Sequence, residues 1–577
     1  MIQPPVPQTT PLAAPSAWNL LRDLPIIIGG LALFYGLLAL SHYWTAPVSA
    51  QAEIQLSLAV LPKYALFSVA RILTAYLISL VFAIAYGQLA AHNKRAERIL
   101  IPLLDTLQSI PVLSFLPPVM VAMVALFPTR QFGVELGSIL LIFTGQVWNM
   151  AFSVYSSTKN IPRELMEAAD VYRLTWWHRF TQLELPGAAI GLVWNSMMSV
   201  AGGWFFLMAC EAFVLNNRDL RLPGLGSYLQ TAATAGNTGA VLSGLFTMIA
   251  VIVLMDQLIW RPVIAWAEKF KLEQVEAAQT PRSPILTLFR RSHLIAGLNS
   301  RVIDPAMERV DLYFGRRHQM HQEAGSHPAR LWTLRIAACA GLVLVAYAVV
   351  RMGMMLAQLT GPDLVVLLRG TVATFLRVEF TLVLAGLWTI PVGVYVGMRP
   401  RLAAIAQPIA QVAASVPATA LFPIVLLFLI RVGGGLGIGS ILLLLLWTQW
   451  YILFNVIAGA SALPTDLREV CDLYHISRRE RWRKFFLPGI FPYLVTGFVT
   501  ASGGAWNASV VAEYSKVQGV TYSTIGLGAV ISRATDAGNF ALLLGATVVM
   551  AATVVTVNRL FWRRMYWLAS TRYKLEA

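Results

Sequence analysis

The sequence is poor in charged residues, in cysteine and in catalytic motifs. Asp, Glu, Lys and Arg make up 12% of its 577 residues, about half the share that a soluble globular protein carries. The three cysteines supply no disulfide framework, and the eight histidines show none of the spacings typical of zinc ligands. These absences argue against a soluble enzyme, a disulfide-rich secreted protein and a metal site.

One glycine-rich stretch, residues 433–440, invites comparison with phosphate-binding loops. It lacks the Gly-Lys-Ser/Thr ending of a P-loop and the G-x-G-x-x-G spacing of dinucleotide-binding folds. We expect its glycines to form a tight turn between two membrane spans. The chain is therefore predicted to have no ATP site of its own, to hold no cofactor and not to be an enzyme.

Apolar residues dominate the sequence. They make up 57% of the chain, the mean hydropathy is +0.64, and several apolar segments reach the roughly 20 residues that a membrane-spanning helix needs. The segments lack the alternation of barrel strands. The net charge is +16, and the Lys and Arg residues cluster in alternate loops, as the positive-inside rule predicts for a membrane protein. We predict an all-α polytopic membrane protein that contacts membrane lipid and binds no nucleic acid.

The apolar segments of the first half predict six spans, at 24–44, 64–90, 102–127, 134–155, 187–213 and 240–260. An uncleaved first helix is favoured over a signal peptide because its polar lead and its apolar run are both long. The predicted boundaries give a cytoplasmic N-terminal tail at 1–23, a first permease unit at 24–264, a cytoplasmic linker at 265–330, a second unit at 331–565 and a cytoplasmic C-terminal tail at 566–577.

The second half repeats the first in order and at nearly constant spacing. The matched residues include Arg71 and Arg377, Trp204 and Trp506, and Glu211 and Glu513. Such matches indicate duplication of a unit of about six spans, about 12 in all. Because each unit has an even number of spans and the linker lies inside, both units share one orientation and can pack about an axis along the membrane normal.

Two polar loops occupy matched places between long apolar segments. The first runs from Glu167, Ala168, Ala169 and Asp170 to Leu185 and Pro186, and the second from Glu469, Val470, Cys471 and Asp472 to Leu487 and Pro488. In each loop a proline, Pro162 or Pro464, precedes a turn that contains an acidic residue, which predicts a helix start. A short helix with one apolar face needs a partner's groove or its own neighbours to cover it. The matched pair of loops favours docking.

Both loops resemble the cytoplasmic EAA loops of permease subunits in bacterial ABC importers. The final Leu-Pro falls on the family offset in both copies, whereas the family glycine is replaced by Arg173 and His475. We therefore expect the turn after each helix to be built differently from that of the family, and the two loops need not bind their partners equally. Over nearly the whole of both halves the chain looks like a fused, duplicated permease of the nitrate, sulfonate, taurine and bicarbonate group.

The resemblance implies a permease for a small anionic solute in the bacterial inner membrane, with both termini cytoplasmic. It implies two separate cytoplasmic ABC ATPase subunits that bind ATP and hold the two loops. It also implies a periplasmic or lipoprotein solute-binding protein that delivers the solute to the outer loops. Candidate contacts for that protein are Asn216, Asn217, Arg218, Asp219, Arg221 and the 514–538 loop, unless these are simply solvated.

Polar and aromatic residues within the spans are the candidates for the translocation pathway. They are Glu211, Glu513, Trp204, Trp506, Arg71, Arg377 and Asn149. A charge within hydrocarbon is costly and needs a partner, a cavity or the interface. An ion pair or helix cap is the alternative for the glutamates, bracing of another helix for the arginines, and ordinary packing for the others. The alternative function is an ion-coupled secondary transporter with two parallel repeats, in which Glu211 and Glu513 are the paired candidate site.

Overall fold

The structure is a computed structural model that describes residues 44, 53–128, 131–215, 218–270, 284–323, 328–431, 435–461, 463, 465–517 and 520–572. Within these ranges the regular secondary structure is helical apart from two short hairpins, and turns and irregular segments connect the elements. The first predicted span, 24–44, lies outside the described residues except for Trp44.

The helices up to the linker follow the predicted order of spans and loops. They are α1 (Leu61–His92), α2 (Lys94–Ser109), α3 (Leu116–Leu126), α4 (Phe132–Lys159), α5 (Arg163–Val171), α6 (Trp176–Arg179), α7 (Leu185–Glu211), α8 (Leu225–Thr234), α9 (Thr238–Met255) and α10 (Arg261–Ala267). Three helices follow within the predicted linker, namely α11 (Pro284–Arg291), α12 (His293–Leu298) and α13 (Asp304–Glu323).

The second half repeats this order. Its helices are α14 (Pro328–Leu356), α15 (Gly361–Gly397), α16 (Pro400–Ser415), α17 (Ala418–Arg431), α18 (Leu436–Ser461), α19 (Thr465–Leu473), α20 (Arg478–Arg481), α21 (Leu487–Ala512), α22 (Leu527–Ala537), α23 (Phe540–Val557) and α24 (Arg563–Arg572). An antiparallel hairpin follows α7, with β1 (Val214–Leu215) and β2 (Arg218–Asp219), and another follows α21, with β3 (Tyr514–Val517) and β4 (Val520–Ser523).

Eight of the described helical segments are long and apolar enough to cross a membrane, or nine if one bent pair counts as a single span. The second, fourth, fifth and sixth predicted spans coincide with α1, α4, α7 and α9 within a few residues at most ends. The all-α prediction is confirmed, whereas twelve spans are not confirmed by the described residues.

The predicted third span, 102–127, consists of two helical segments, which form either one broken span or a re-entrant loop. Lys94–Gln108 and Val112–Leu126 are bent by 84° at the break between them. Ile110, which precedes Pro111, has φ −78° and ψ 125°, an extended conformation. A residue before proline is driven out of the helical region, and the proline supplies no N–H, so the helix ends there.

The glycine-rich stretch was expected to be a tight turn, but its described part begins a helix. Gly437 and Gly439 lie in the first turns of α18. Leucines at positions 442–446 follow them. Leucine is not branched at Cβ and is among the strongest helix formers, so the helix forms in spite of the two glycines.

The described residues group into two compact units. One contains residues 161–193 and 256–327, and therefore the first polar loop and the linker helices α11, α12 and α13. The other contains residues 43–160, 194–255 and 328–577.

Within the larger unit, the same helix pair packs with the same register in both halves. A Cβ added to Gly87 of α1 would lie 2.7 Å from Val154 Cβ of α4, and a Cβ added to Gly393 of α15 would lie 2.6 Å from Val456 Cγ1 of α18. Real side chains do not approach so closely, so only glycine allows the backbones to meet here. These contacts show which residues of the first half correspond to which residues of the second half.

Candidate functional site

The first loop, residues 163–186, begins with α5. Two backbone hydrogen bonds close the C-terminal end of this helix. The Leu174 amide donates to the Ala169 carbonyl at 3.0 Å, and the Arg173 amide donates to the Asp170 carbonyl at 3.0 Å. This pair is the Schellman motif, which requires a left-handed residue after the helix. Arg173 fills that place with φ of 50°.

The second loop, residues 465–488, ends α19 in the same way. Ile476 donates to the Cys471 carbonyl and His475 to the Asp472 carbonyl, both at 3.1 Å. The φ of His475 is 49°. The expectation that the replaced glycine changes this turn is therefore wrong, because the two backbone hydrogen bonds impose the left-handed conformation on arginine and histidine as well.

An arginine braces the turn in each loop. Arg179 lies 3.1 Å from Asp170 and 3.1 Å from Glu184, and Arg481 lies 2.6 Å from Asp472. Each arginine belongs to a short second helix, α6 or α20, which is followed by a π-helical turn at Phe180–Glu184 or Trp482–Phe486. That turn runs directly into the long helix α7 or α21, where the Leu-Pro pair forms the first two residues.

Each loop helix buries one small face and exposes the other. Ala169 and Cys471 are buried, whereas Glu167, Ala168 and Glu469 are exposed. Large apolar side chains at the ends of the two helices are also exposed: Val171, Tyr172, Leu473 and Tyr474 are each more than two-thirds exposed. The loops thus present acidic and apolar groups together on accessible helices.

The two loops differ in their contact with the linker. In the first, the Trp177 indole N–H donates to Asp311 Oδ1 at 2.5 Å, and its ring stacks on Phe314 with centroids 4.7 Å apart. Both partners lie on α13. The matching residue of the second loop is Arg479, which is exposed. A linker helix therefore packs on the tip of the first loop.

A second candidate region, the first buried centre, consists of Ser68, Arg71, Glu135 and Glu211, all fully buried. Arg71 donates from Nε and Nη2 to the two oxygens of Glu135, both at 2.7 Å, and from Nη1 to Glu211 Oε1 at 2.6 Å. Ser68 Oγ also donates to Glu211 at 2.7 Å. The guanidinium thus joins α1, α4 and the end of α7.

The second buried centre consists of Thr374, Arg377 and Glu513. Arg377 Nη1 donates to Glu513 Oε1, as does Thr374 Oγ1 at 2.7 Å, and the Gly528 amide donates to the other oxygen at 2.8 Å. The Gly226 amide contacts Glu211 in the same way at 2.7 Å. The structure therefore brings the predicted arginine and glutamate together in each half.

Sequence reasoning missed Glu135. The available signal was an acidic residue in the first turn of the predicted fourth span, where a charge in an apolar segment calls for a partner. It was not recognised because the duplicated half has no acid at the matching place, so the repeat did not point to it.

The remaining pathway candidates are placed separately. Trp204 and Trp506 are buried, and Asn149 Oδ1 accepts from Gln108 Nε2 at 3.3 Å. Contacts that join the two halves involve residues that the sequence did not single out as a pair. The Val112 amide donates to Asn507 Oδ1 at 2.6 Å, and the rings of Phe205 and Trp447 lie 4.5 Å apart.

The predicted outer-loop contacts lie beyond α7 and α21. Asn216 and Asn217 are outside the described residues, Arg218 and Asp219 form β2, and Arg221 Nη1 donates to Thr231 at 2.9 Å. In the matching loop Tyr514 donates to Asp536. Burial, together with this negative neighbour, raises the pKa of Tyr514 to about 12.

Comparison with known proteins identifies both halves. A family model described as a binding-protein-dependent transport system inner membrane component matches residues 75–259 and again 389–570. The nitrate import permease protein NrtB of Synechococcus elongatus is 31% identical over 162 residues, which cover 28% of this chain and 54% of NrtB. The bicarbonate transport system permease protein CmpB of Synechocystis is 31% identical over 143 residues, 25% of this chain and 50% of CmpB.

The glycine betaine transport system permease protein OpuAB of Bacillus subtilis is 25% identical over 191 residues, 33% of this chain and 62% of OpuAB. The chain spans about half the length of NrtB and CmpB. The two family matches confirm the internal duplication and the prediction that the chain is not an enzyme. The chain belongs to the family of binding-protein-dependent transport system inner membrane components, multi-pass proteins of the inner membrane, and carries that family's domain twice.

Proposed function

We propose that the chain is a fused, two-unit transmembrane permease of a bacterial ABC importer, whose two loops each receive one cytoplasmic ATPase subunit. The observation that carries the proposal is the pair of equally built loop helices, α5 and α19. Both expose a glutamate at the matching place, Glu167 and Glu469, and both end in a braced turn. The exposed apolar side chains at the ends of the two helices form a surface that a groove on a partner protein could cover.

The construction of the loops suits transmission of force. ATP binding closes the ATPase pair and draws α5 and α19 together, which rocks the two halves and exposes the path outward. The Asp170–Arg179 and Asp472–Arg481 pairs tie each loop helix to the segment that leads into α7 or α21. Closed ATPases and outward-facing halves must therefore favour each other for transport to be coupled.

The pathway runs between the halves, where Asn507 meets the bent segment at Val112 and Phe205 meets Trp447. Trp204, Trp506 and Asn149 remain candidates for the lining of this pathway. The two arginine–glutamate pairs hold helices together in each half. This pairing weakens the ion-coupled alternative, because Glu211 and Glu513 are each already engaged by an arginine, a hydroxyl and a backbone amide.

The proposed solute is a small anion such as nitrate, bicarbonate or a sulfonate, delivered by a separate solute-binding protein outside. The names of NrtB and CmpB support an anion, whereas the name of OpuAB refers to a zwitterion, glycine betaine. We propose further that both termini are cytoplasmic, because the linker between two units of even span number lies on the same side as the loops.

The test is co-purification followed by an ATPase assay. The detergent-solubilised wild type is compared with a Glu167→Arg/Glu469→Arg double variant and with Glu53→Arg, a control that reverses an exposed charge away from the loops. We expect an ATPase to accompany the wild type and the control, and its amount or its coupling to transport to fall at least about tenfold in the double variant. Uptake driven by an ion gradient, with no ATPase bound to wild type, would overturn the proposal.

A further inference from the structure

We propose that the second buried centre binds a small oxyanion at the place that the Glu135 carboxylate fills in the first. The first centre shows what a complete arrangement looks like. A guanidinium carries five N–H donors in a planar fork, and Arg71 uses its Nε and Nη2 edge for Glu135 and its Nη1 for Glu211 and for the Pro223 carbonyl. One cation is thereby held between two carboxylates.

The helix register identifies the matching place in the second half. Gly87 lies sixteen residues after Arg71, as Gly393 does after Arg377, and Val154 lies nineteen residues after Glu135, as Val456 does after Gly437. Since Gly87 meets Val154 as closely as Gly393 meets Val456, Gly437 occupies the place of Glu135. The second centre therefore lacks one carboxylate.

Nothing described fills the space that this difference leaves. A Cβ added to Gly437 would meet no heavy atom within 4 Å, and Gly437 is exposed, whereas Glu135 is buried. Arg377 directs Nη1 to Glu513 and Nη2 to Thr524 and the Ile525 carbonyl, and its Nε enters no hydrogen bond among the described residues. The Arg377 side chain retains 11% exposure, compared with 0% for Arg71.

The ligand that fits is a monovalent oxyanion with two oxygens that can accept hydrogen bonds side by side. One of its oxygens would accept from Nε of Arg377, and a second would accept from Nη2 in exchange for the Thr524 hydroxyl, which is the longer of the two Nη2 contacts at 3.3 Å. The pair of oxygens would then take the place of the Glu135 carboxylate in the two-point geometry for which arginine is suited. Such an anion would restore the first centre's balance of one guanidinium to two anions. Formate, nitrate and bicarbonate share this chemistry, and the phosphate of a lipid head group presents the same pair of oxygens.

The experiment introduces a glutamate side chain whose carboxylate would occupy the proposed anion site. Gly437→Glu is compared with wild type and with Gly435→Glu, a control two residues earlier where an added Cβ also meets nothing within 4 Å. Thermal unfolding of the full chain in lipid-free detergent is followed while formate or nitrate replaces chloride at constant ionic strength. Because a ligand that binds only the folded state raises the midpoint with its concentration, wild type and Gly435→Glu should respond.

Gly437→Glu should unfold at a higher midpoint in chloride and respond to formate at least about tenfold more weakly. A second arm uses nanodiscs of phosphatidylcholine or phosphatidylglycerol. If phosphatidylglycerol alone raises the wild-type midpoint and abolishes its formate response, while Gly437→Glu is indifferent, the oxyanion is a lipid head group. The proposal is overturned if wild type responds to neither anion nor phosphatidylglycerol, or if Gly437→Glu responds as wild type does. No ATPase is present, so either outcome is independent of the proposed transport function.

Discussion

Arg173 and His475 adopt the same left-handed backbone conformation, with φ of 50° and 49°, although neither is a glycine. Each follows a loop helix and closes its Schellman motif. An L-residue in this conformation brings its Cβ close to the following carbonyl oxygen, at a cost of about 1–2 kcal/mol. Both loops therefore carry local strain at the residue after the helix that we propose to dock on an ATPase.

Replacing either residue by glycine should stabilise its loop. Arg173→Gly and His475→Gly remove the Cβ, and after the greater flexibility of glycine in the unfolded chain is subtracted, about 1 kcal/mol should remain. Hydrogen exchange at the amides that close the turn, those of Leu174 and Ile476, should slow about fivefold. Arg173→Ala is the control, since it shortens the side chain but keeps the Cβ; equal exchange in Gly and Ala variants would contradict the account.

Removing Glu135 should create a copy of the second centre. Glu135→Gly leaves the buried Arg71 with one described carboxylate, that of Glu211, and loss of one partner from a buried ion pair costs about 3–5 kcal/mol. The thermal midpoint should fall, and formate should restore part of it by occupying the vacated place. Glu135→Gln is the matched control, because its neutral amide fills the space and leaves no room for formate. Equal recovery of both variants would argue against an anion-accepting guanidinium.

The close helix contacts at Gly87 and Gly393 should tolerate no methyl group. Gly87→Ala and Gly393→Ala would place a Cβ within 2.7 Å of a valine side chain, and such overpacking typically costs about 1–3 kcal/mol. The thermal midpoint should fall in both. Gly353→Ala on α14, where an added Cβ meets nothing within 4 Å, should leave the midpoint unchanged or raise it slightly. If all three variants behave alike, the shared register of the helix pairs is not set by these glycines.

The long helices and both loop helices were predictable from sequence because each depends on local signals. The length of the apolar segments predicts α1, α4, α7 and α9. The starts of α5 and α19 are marked by the proline before each helix and the acidic residue in its first turn. The bend between α2 and α3 is also encoded locally, by Pro111, although apolar length alone predicts one span over 102–127. The outcome depended on Ile110, whose extended conformation ends the helix.

The partners of Arg71 were less predictable because they depend on which helices are neighbours. Glu135 lies far along the chain from Arg71 and reaches it only because α1 and α4 pack through Gly87 and Val154. The contact between Trp177 and α13 has the same origin. The sequence pattern of the linker does not distinguish Asp311 and Phe314 from the other residues of α13. Their contact with the first loop depends on how the chain folds.

The contact of Trp177 with Asp311 and Phe314 should stabilise the packing of α13 on the first loop. Trp177→Ala removes the hydrogen bond to Asp311 and the stacking on Phe314, which together are worth about 2 kcal/mol. Amide hydrogen exchange across α13 should then quicken about thirtyfold. Trp176→Ala is the control, because that neighbouring ring is 57% exposed and has no described contact with α13. The second loop, with Arg479 at the matching place, should bind its ATPase with the same affinity in wild type and Trp177→Ala. If exchange in α13 is unchanged by Trp177→Ala, the helix is held by other contacts, and the two loops differ only in their own residues.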